Sequence, residues 1–221
     1  MPKIHIPTTG AGDWRALLAD PEKQWRAGYS AMAVARSWEE AQDLPNEFRA
    51  VLGDDAELLL AIPEHSVPLA GGSKGSQCDV FALVRIAHQT CALAVEAKVN
   101  EPFGPKIGEW MQEPTKGRVT RLTAICELLG VSYPPPDGLR YQLFHRSAAA
   151  IVQARRFQTN CAAMVVQSFS QEHRWYEDFS AFCDYLGLKA ARGSPLVHIL
   201  PEGRRLILGW VTGEARFLVV K

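Results

Sequence analysis

The stretch DVFALVRIAHQTCALAVEAK, residues 79–98, decides the fold. Two apolar runs rich in Val, Leu, Ile and Phe, at about 78–87 and 91–99, are separated only by HQT. Runs of this length and composition predict strands, and so short a connection predicts a hairpin. Charged residues stand at both ends, with Asp79 at the beginning and Glu96 and Lys98 at the end. The hairpin should therefore bring two carboxylates and an amine to one edge of a sheet.

The strand register predicts where these three charges lie. Alternate side chains of a strand share a face, so Glu96 and Lys98 are expected on the same face. If His88 and Gln89 form the turn, Asp79 lies directly opposite Lys98 and diagonal to Glu96. All three side chains then share one face, whereas a slip of one residue would separate them.

Such a convergence suits the hydrolysis of a phosphodiester. Asp79 and Glu96 offer hard oxygen ligands of the kind that Mg²⁺ or Mn²⁺ prefers, and such an ion can activate a bound water. Lys98 would stabilise the attacking water or the negative charge that develops on the phosphate. Three charges on a half-buried face are costly unless they neutralise one another or hold a metal. The hairpin therefore predicts a metal-dependent site.

The rest of the chain predicts the element order α-β-β-β-α-α-β-α-β-β, with helices and strands recognised from their apolar periodicity. Helices are expected over residues 20–42, 46–52, 116–129, 139–157 and 174–187. Further strands are expected over residues 56–63, 161–169 and in a terminal hairpin over 205–220 that turns at Thr212-Gly213. Residues 64–76, EHSVPLAGGSKGS, are rich in Pro, Gly and Ser and predict a loop. The fold class is therefore α/β, a mixed central β-sheet flanked by helices.

Length and composition indicate one globular domain. The chain has 221 residues, of which 47% are hydrophobic, enough for a sizeable core. We expect a single domain over residues 1–221, with a core at about 30–168 and a C-terminal helix and β-hairpin extension at about 170–221. The five cysteines are widely spaced and predict reduced core residues. No apolar run is long enough for a membrane span or a secretory signal, so we expect a cytoplasmic protein without a membrane partner.

The hairpin and its surroundings resemble the PD-(D/E)XK nuclease superfamily over about residues 30–168. That superfamily has an α-β-β-β-α-β, restriction-endonuclease-like core, in which an Asp begins the second strand and an E-x-K lies on the third. The resemblance implies that Asp79 and Glu96 are metal ligands, that the carbonyl of Ala97 is a further ligand, and that Lys98 is the catalytic lysine. It also implies Mg²⁺ or Mn²⁺ as the cofactor.

Two further positions bear on this resemblance. Some members add a metal-binding Glu from the first helix, and SWEEA offers two candidates. Of these we favour Glu39, because helical spacing puts it nearer the apolar face of Trp38 than Glu40. Cys78 stands where the name of the motif has Pro, which departs from the pattern.

A polar stripe on the later helix adds candidate residues. In RYQLFHR, residues 140–146, helical spacing places Gln142, His145 and Arg146 on one face. The resemblance implies that a helix after the third strand faces the site, so Gln142 and His145 become candidate catalytic residues and Arg146 a nucleic-acid contact. The alternative is a solvated helix face. Further candidate contacts to a nucleic-acid backbone lie on the preceding helix, at Lys116, Arg118 and Arg121.

The sequence thus favours a metal-dependent nuclease that acts on DNA or RNA, with DNA the favoured of the two expected partners. The alternative is a non-catalytic nucleic-acid-binding or protein-interaction module on the same fold, in which the charges form a structural ion cluster. The formal net charge is zero, although residues 98–156 hold nine Lys and Arg against five Asp and Glu. Because a neutral protein lacks strong independent affinity for duplexes, a homodimer or a partner subunit is expected to supply phosphate contacts.

Overall fold

The computed structural model describes residues 8–219, and its centre is one mixed sheet of six strands. The strands are β1 (Glu57–Val67), β2 (Ser76–Ile86), β3 (Gln89–Lys98), β4 (Cys161–Ser168), β5 (Leu196–Ile199) and β6 (Arg205–Thr212). Their order across the sheet is β1-β2-β3-β4-β6-β5. β1, β2 and β3 run antiparallel in succession, β3, β4 and β6 are mutually parallel neighbours, and β5 is antiparallel to β6.

Seven α-helices surround this sheet within the same described residues. They are α1 (Pro21–Gln24), α2 (Ser30–Glu40), α3 (Arg49–Leu52), α4 (Ile107–Trp110), α5 (Lys116–Leu129), α6 (Tyr141–Arg156) and α7 (Tyr176–Tyr185). The predicted order of the longer elements, α-β-β-β-α-α-β-α-β-β, agrees with this succession as far as α7, whereas the last two strands are β5 and β6 and not the predicted hairpin over 205–220. The predicted α/β fold, a single domain with a mixed sheet flanked by helices, is confirmed.

The two faces of the sheet support two separate apolar cores. Helices α2 and α3 pack on one face, where Trp38 and Phe48 join Leu93 and Val95 of β3. Helices α5, α6 and α7 pack on the other face, where their apolar side chains meet Ala92 and Ala94 of β3. The alternation of β3 therefore follows the prediction, since the small residues that precede Glu96 and Lys98 face α6. This face holds the site.

The crossover from β3 to β4 places α6 over the centre of the sheet. Parallel strands need a long connection, and here it contains α4, α5 and α6. Every residue of β4 is buried, as expected for a central strand covered by helices on both faces. The crossover thereby fixes the N-terminal turns of α6 beside the end of β3.

The turn of the β2–β3 hairpin lies one residue earlier than predicted. Ile86 pairs with Gln89, so the turn is at Ala87-His88 and not at His88-Gln89. Moving a turn by one residue changes every cross-strand partner by two positions, which keeps all side chains on the same faces. The expectation that a slip of one residue at the turn would separate the three charges is therefore wrong. Val80 pairs with Val95, and one further step in the same register places Asp79 opposite Glu96. The predicted direct pairing of Asp79 with Lys98 is therefore wrong.

The predicted first helix is interrupted. Asp20 caps α1 as expected, its side chain accepting a hydrogen bond from the Lys23 amide, but α1 ends at Gln24. A new helix, α2, begins at Ser30 after Gly28, which has a φ of 80°. Because that conformation lies in the left-handed region, it breaks the helix and lets α2 start in a different direction.

The C-terminal hairpin also differs from its prediction. β6 ends at Thr212, and residues Ala215–Leu218 form a 3₁₀ helix in place of a second strand. The partner of β6 is instead β5, and the turn between them contains Gly203 at a φ of 82°. The last residue of the predicted hairpin, Val220, lies outside the described residues. The observed hairpin extends the central sheet through the β4–β6 pairing.

Three further predictions can be compared with the structure. All five cysteines are buried and free, as predicted. Within residues 8–219, every helix is too short or too polar to cross a membrane. β1 continues to Val67, although the sequence predicted a loop from residue 64 onward. The longer strand includes Glu64 and His65, which therefore lie beside β2.

Candidate functional site

The site begins where the pairing between β2 and β3 ends. Backbone pairing runs from Ile86–Gln89 to Val80–Val95. The next amide of β3 that points towards β2 belongs to Ala97, and it is bonded by the Asp79 side chain and not by a backbone carbonyl. Asp79 Oδ2 accepts a hydrogen bond of 2.6 Å from the Ala97 amide. The Lys98 carbonyl accepts from the Phe169 amide on the β4 side. Because successive carbonyls of a strand point to opposite sides, the Ala97 carbonyl points towards Asp79.

Glu96 is the centre of a buried ion cluster. Its Oε1 accepts from Lys98 Nζ and, at 2.7 Å, from Gln142 Nε2, and its Oε2 accepts from Arg146 Nε. The side chains of Glu96, Lys98 and Arg146 are 2%, 5% and 8% exposed. Burial alone would raise the pKa of Glu96, but the Arg146 and Lys98 charges outweigh it and hold the pKa below its ordinary value. Glu96 therefore stays ionised.

A third carboxyl, from Glu64, joins the site and was missed by the sequence analysis. The β1–β2 register pairs Pro63 with Val80 and His65 with Cys78, which leaves Glu64 opposite Asp79. Glu64 has a φ of 51°, an uncommon backbone conformation for a residue other than glycine. Its Oε2 accepts a hydrogen bond of 2.8 Å from Gln77 Nε2.

The carboxyls of Asp79 and Glu64 hold their protons to unusually high pH. Burial and the neighbouring Glu96 charge raise the pKa of Asp79 to about 7. Burial and the Asp79 charge raise the pKa of Glu64 to about 8. Like charges gathered in a poorly hydrated place disfavour ionisation. A cation bound between these groups would relieve that repulsion.

These groups open into a cleft of about 410 Å³, named here the acidic cleft. Its floor is the gap between β2 and β3, and one wall is formed by the N-terminal end of α2, at Ser30 and Ala31. Glu101 lies on its rim, where Oε1 accepts a hydrogen bond of 2.9 Å from the Ser30 amide. The carboxylates that line the acidic cleft are Glu64, Asp79, Glu96 and Glu101.

The donor set of the acidic cleft fits a hard divalent cation. Asp79, Glu64 and the Ala97 carbonyl provide oxygen ligands, and Gln142 Oε1 is a buried acceptor without a hydrogen-bond partner among the described residues. Within residues 8–219 no three His, Cys, Asp or Glu side chains are already grouped as metal ligands, and both oxygens of Glu96 are engaged. Glu96 would have to exchange a hydrogen bond in order to join them.

His145 lies on the other side of Arg146 from the carboxyls. The Arg146 guanidinium donates to Ser76 Oγ at 2.8 Å, and Ser76 Oγ lies 2.8 Å from His145 Nδ1. Burial and the nearby Arg146 charge hold the pKa of His145 well below its ordinary value. Thus of the two predicted catalytic residues on α6, Gln142 contacts Glu96 directly and His145 is connected through Ser76.

The predicted metal ligand Glu39 is elsewhere. Its Oε1 accepts hydrogen bonds from Trp14 Nε1 at 2.7 Å and Thr8 Oγ1 at 2.8 Å. The acidic cleft is lined by the other end of α2, at Ala31, about 12 Å along the helix axis from Glu39. The prediction identified a position near the apolar face of α2 but not which end of the helix faces the site. Glu39 is therefore not a ligand of this cleft.

Three of the four predicted nucleic-acid contacts have partners within the protein. Arg146 belongs to the buried cluster with Glu96. Arg118 donates to the Trp110 and Glu113 carbonyls. Arg121 donates to the Ala70 carbonyl at 2.9 Å and so holds the loop before β2 against α5. Lys116 is exposed at the start of α5.

Comparisons with known proteins identify a family. A family model described as a domain of unknown function (DUF6946) matches residues 7–215. No curated protein and no solved structure matches the chain.

Proposed function

Since the chain belongs to the DUF6946 family, whose description names no activity, we propose its function from the site itself: a metal-dependent phosphodiester hydrolase acting on nucleic acid. The observation that carries the proposal is the meeting of Asp79, Glu64 and the Ala97 carbonyl in one cleft with Lys98 beside them. The order α-β-β-β-α-β of α2, β1–β3, the α5–α6 pair and β4 supports the resemblance to PD-(D/E)XK nucleases. Membership in that superfamily stays a prediction.

The side chains of the acidic cleft have different roles in the proposed reaction. Asp79 and Glu64 would hold the cation through oxygens that become anionic on binding, together with the Ala97 carbonyl. When bound, Mg²⁺ or Mn²⁺ supplies a Lewis acid for the scissile phosphate and for the attacking water. Lys98 forms an ion pair with Glu96 and can donate to the oxygen that gains negative charge. Glu96 thus acts by fixing the lysine.

One observation favours the alternative, a non-catalytic module on the same fold. Each oxygen of Glu96 already accepts a hydrogen bond from a charged side chain, Lys98 or Arg146, and Gln142 adds a third. A carboxylate satisfied in this way forms a complete buried ion cluster without any metal. In that case the charges would hold α6 against β3, and the acidic cleft would have no reaction to perform.

A cleavage assay distinguishes the two functions. Wild-type protein is incubated with labelled single-stranded DNA, duplex DNA and RNA in Mg²⁺, in Mn²⁺ and in EDTA. We expect metal-dependent cleavage of at least one substrate, reduced by more than about 100-fold in Asp79→Asn because a metal ligand is lost. Asn can still accept the Ala97 hydrogen bond, so the fold is preserved. The matched control is Asp184→Asn, whose carboxyl is half exposed and pairs with Lys189.

Cleavage that is equal in Asp79→Asn and wild type would assign the activity to another site or to a contaminant. Failure of the wild-type protein to cut any of these substrates, together with failure to bind either metal, would leave the non-catalytic module as the function.

A further inference from the structure

A second cleft, of about 490 Å³, adjoins the acidic cleft. The two share a wall, because Gln77, Lys98, Gln142 and Arg146 line both of them. Four carboxyl side chains line the acidic cleft, whereas no Asp or Glu is among the described residues that line the second. We name the second one the basic cleft, and its cationic residues are Lys74, Lys98, Arg121 and Arg146.

The positive charge of the basic cleft is only partly neutralised. Lys98 and Arg146 share the single negative charge of Glu96. Arg121 donates to the backbone carbonyls of the neighbouring loop, which do not cancel its charge. Lys74 is exposed, and no ion pair or hydrogen bond of its side chain occurs within the described part of the chain. An anion that enters this cleft meets a local excess of cations.

The hydrogen bonds of His145 add a neutral donor. Arg146 can only donate, so Ser76 Oγ accepts from it and is free to donate its own proton to His145 Nδ1. Arg146 also lies 3.3 Å from His145 Nδ1, which fits an acceptor at that atom. A neutral imidazole that accepts at Nδ1 carries its proton on Nε2. His145, which lines the basic cleft, therefore carries an N–H donor at Nε2, a group suited to a phosphate oxygen.

Aromatic rings complete the lining. Trp110 and Tyr141 both line the basic cleft, and their rings are stacked with centroids 3.9 Å apart and planes 12° apart. The Arg118 guanidinium lies over the Trp110 ring, 5.6 Å from its centroid, and the His145 ring contacts Tyr141. Basic grooves combined with aromatic side chains are the usual means of binding unpaired nucleic-acid strands, because every base has a face that can stack. A cleft of about 490 Å³ is large enough for a single nucleotide.

We propose that the basic cleft binds the nucleotide next to the scissile phosphodiester of an unpaired nucleic-acid strand. This inference rests on the proposed function for its placement of the scissile phosphate in the acidic cleft. A strand crossing the shared wall would place one phosphate by the acidic cleft and its neighbour among Lys74, Arg121 and the His145 donor. Substrate strands are therefore single-stranded, or unpaired at the point of cleavage.

Binding without metal tests this proposal separately from cleavage. A fluorescently labelled oligothymidylate is titrated with protein in EDTA, and fluorescence anisotropy is followed at several salt concentrations. We expect Lys74→Gln to weaken binding several-fold and to lower the slope of log affinity against log salt by about one. The charge-matched control is Lys189→Gln, whose side chain is 96% exposed and does not line the basic cleft; it should bind like wild type.

A second variant tests the aromatic lining. Trp110→Ala should weaken oligothymidylate binding by about 10-fold, because a base that takes the place of the Arg118 guanidinium over the Trp110 ring gains about 1–3 kcal/mol of stacking. Its fold is checked by circular dichroism and thermal unfolding. A blunt duplex of matched length should bind more weakly than the single strand in every protein.

Three results would overturn the proposal. The first is wild-type affinity in Lys74→Gln, and the second is tighter binding of the duplex than of the single strand. The third is displacement of the oligothymidylate by inorganic phosphate at an equal concentration of phosphate groups, which would mean a site for a free anion. If single strands bind as expected but nothing is cleaved in any metal, the cleft proposal stands and the proposed catalytic function fails.

Discussion

Asp79 accepts a hydrogen bond from the amide of Ala97 at the point where β2 and β3 stop pairing. The side chain thus replaces a backbone carbonyl, and the two strands separate while the buried amide remains satisfied. The separation opens the floor of the acidic cleft and leaves the Ala97 carbonyl pointing into the same space. One carboxyl group therefore supports the backbone and, through its second oxygen, offers a ligand.

The first prediction concerns pH and stability without metal. The pKa values of Asp79, about 7, and Glu64, about 8, lie above the ordinary values of 3.8 and 4.5. The folded state therefore keeps protons that the unfolded chain has released, and the stabilisation they give is lost as pH rises through 7 to 8. We expect the free energy of unfolding in EDTA to fall between pH 6.5 and 8, by up to about 1.4 kcal/mol per pH unit for each carboxyl.

Chemical denaturation across that range provides the measurement. The pH is kept above 6.5 because folding lowers the pKa values of His65 and His145. Below pH 6.5 the unfolded chain protonates these histidines more than the folded protein does, so they make the protein less stable as the pH falls, which is opposite to the effect of the two carboxyls. The double variant Asp79→Asn, Glu64→Gln removes both carboxyls and should flatten the curve. An unchanged slope in the double variant would show that other groups cause the pH dependence.

The second prediction concerns the buried ion cluster. Glu96→Ala leaves the Lys98 and Arg146 side chains buried without their carboxylate, which should cost about 3–5 kcal/mol of stability. The matched control is Glu202→Ala, which breaks more exposed pairs with Arg155 and Arg204 and should cost less than about 1 kcal/mol. Urea denaturation of both variants measures the difference. A cost for Glu96→Ala as small as the control's would mean that water already screens the cluster.

The third prediction concerns the packing of α3 on the sheet. A Cβ at Gly209, in the middle of β6, would lie 2.5 Å from Val51 Cγ1 and 2.7 Å from Val51 Cγ2. Gly209→Ala should therefore destabilise the protein by about 1–3 kcal/mol through overpacking. Adding Val51→Ala should recover part of that loss, a coupling that a double-mutant cycle measures. Gly138→Ala is the control, since no atom lies within 4 Å of its Cβ position.

Strand alternation made much of the site predictable. Ala92, Ala94, Glu96 and Lys98 share the face that α6 covers, as the period of two requires. Helical spacing in the same way brought Gln142 and Arg146 together, and both contact Glu96. These predictions were robust because an error of one residue in the turn moves partners along a strand without changing their faces.

Glu64 was not predictable by the same reasoning. Pro63 and the following polar residues indicated a loop, yet β1 is an edge strand of the sheet that residues 8–219 form, and proline is tolerated on edge strands because its missing amide can face away from the neighbouring strand. The left-handed conformation of Glu64 depends on the tertiary structure and has no signal in the sequence. Glu39 was misplaced for a related reason: helical periodicity predicts a face and not which end of α2 meets the sheet.

Titration calorimetry with Mn²⁺ near pH 8 tests the central claim, a cation site built on Asp79 and Glu64, most directly. The structure predicts saturable binding to the wild-type protein that weakens as pH falls below 7, because protons then compete for both carboxyls. Asp79→Asn should abolish this binding, and Glu64→Gln should weaken it by about 10-fold or more. Glu39→Gln should bind Mn²⁺ with the affinity of the wild-type protein. Absence of binding to the wild-type protein, or equal binding to Asp79→Asn, would contradict the account.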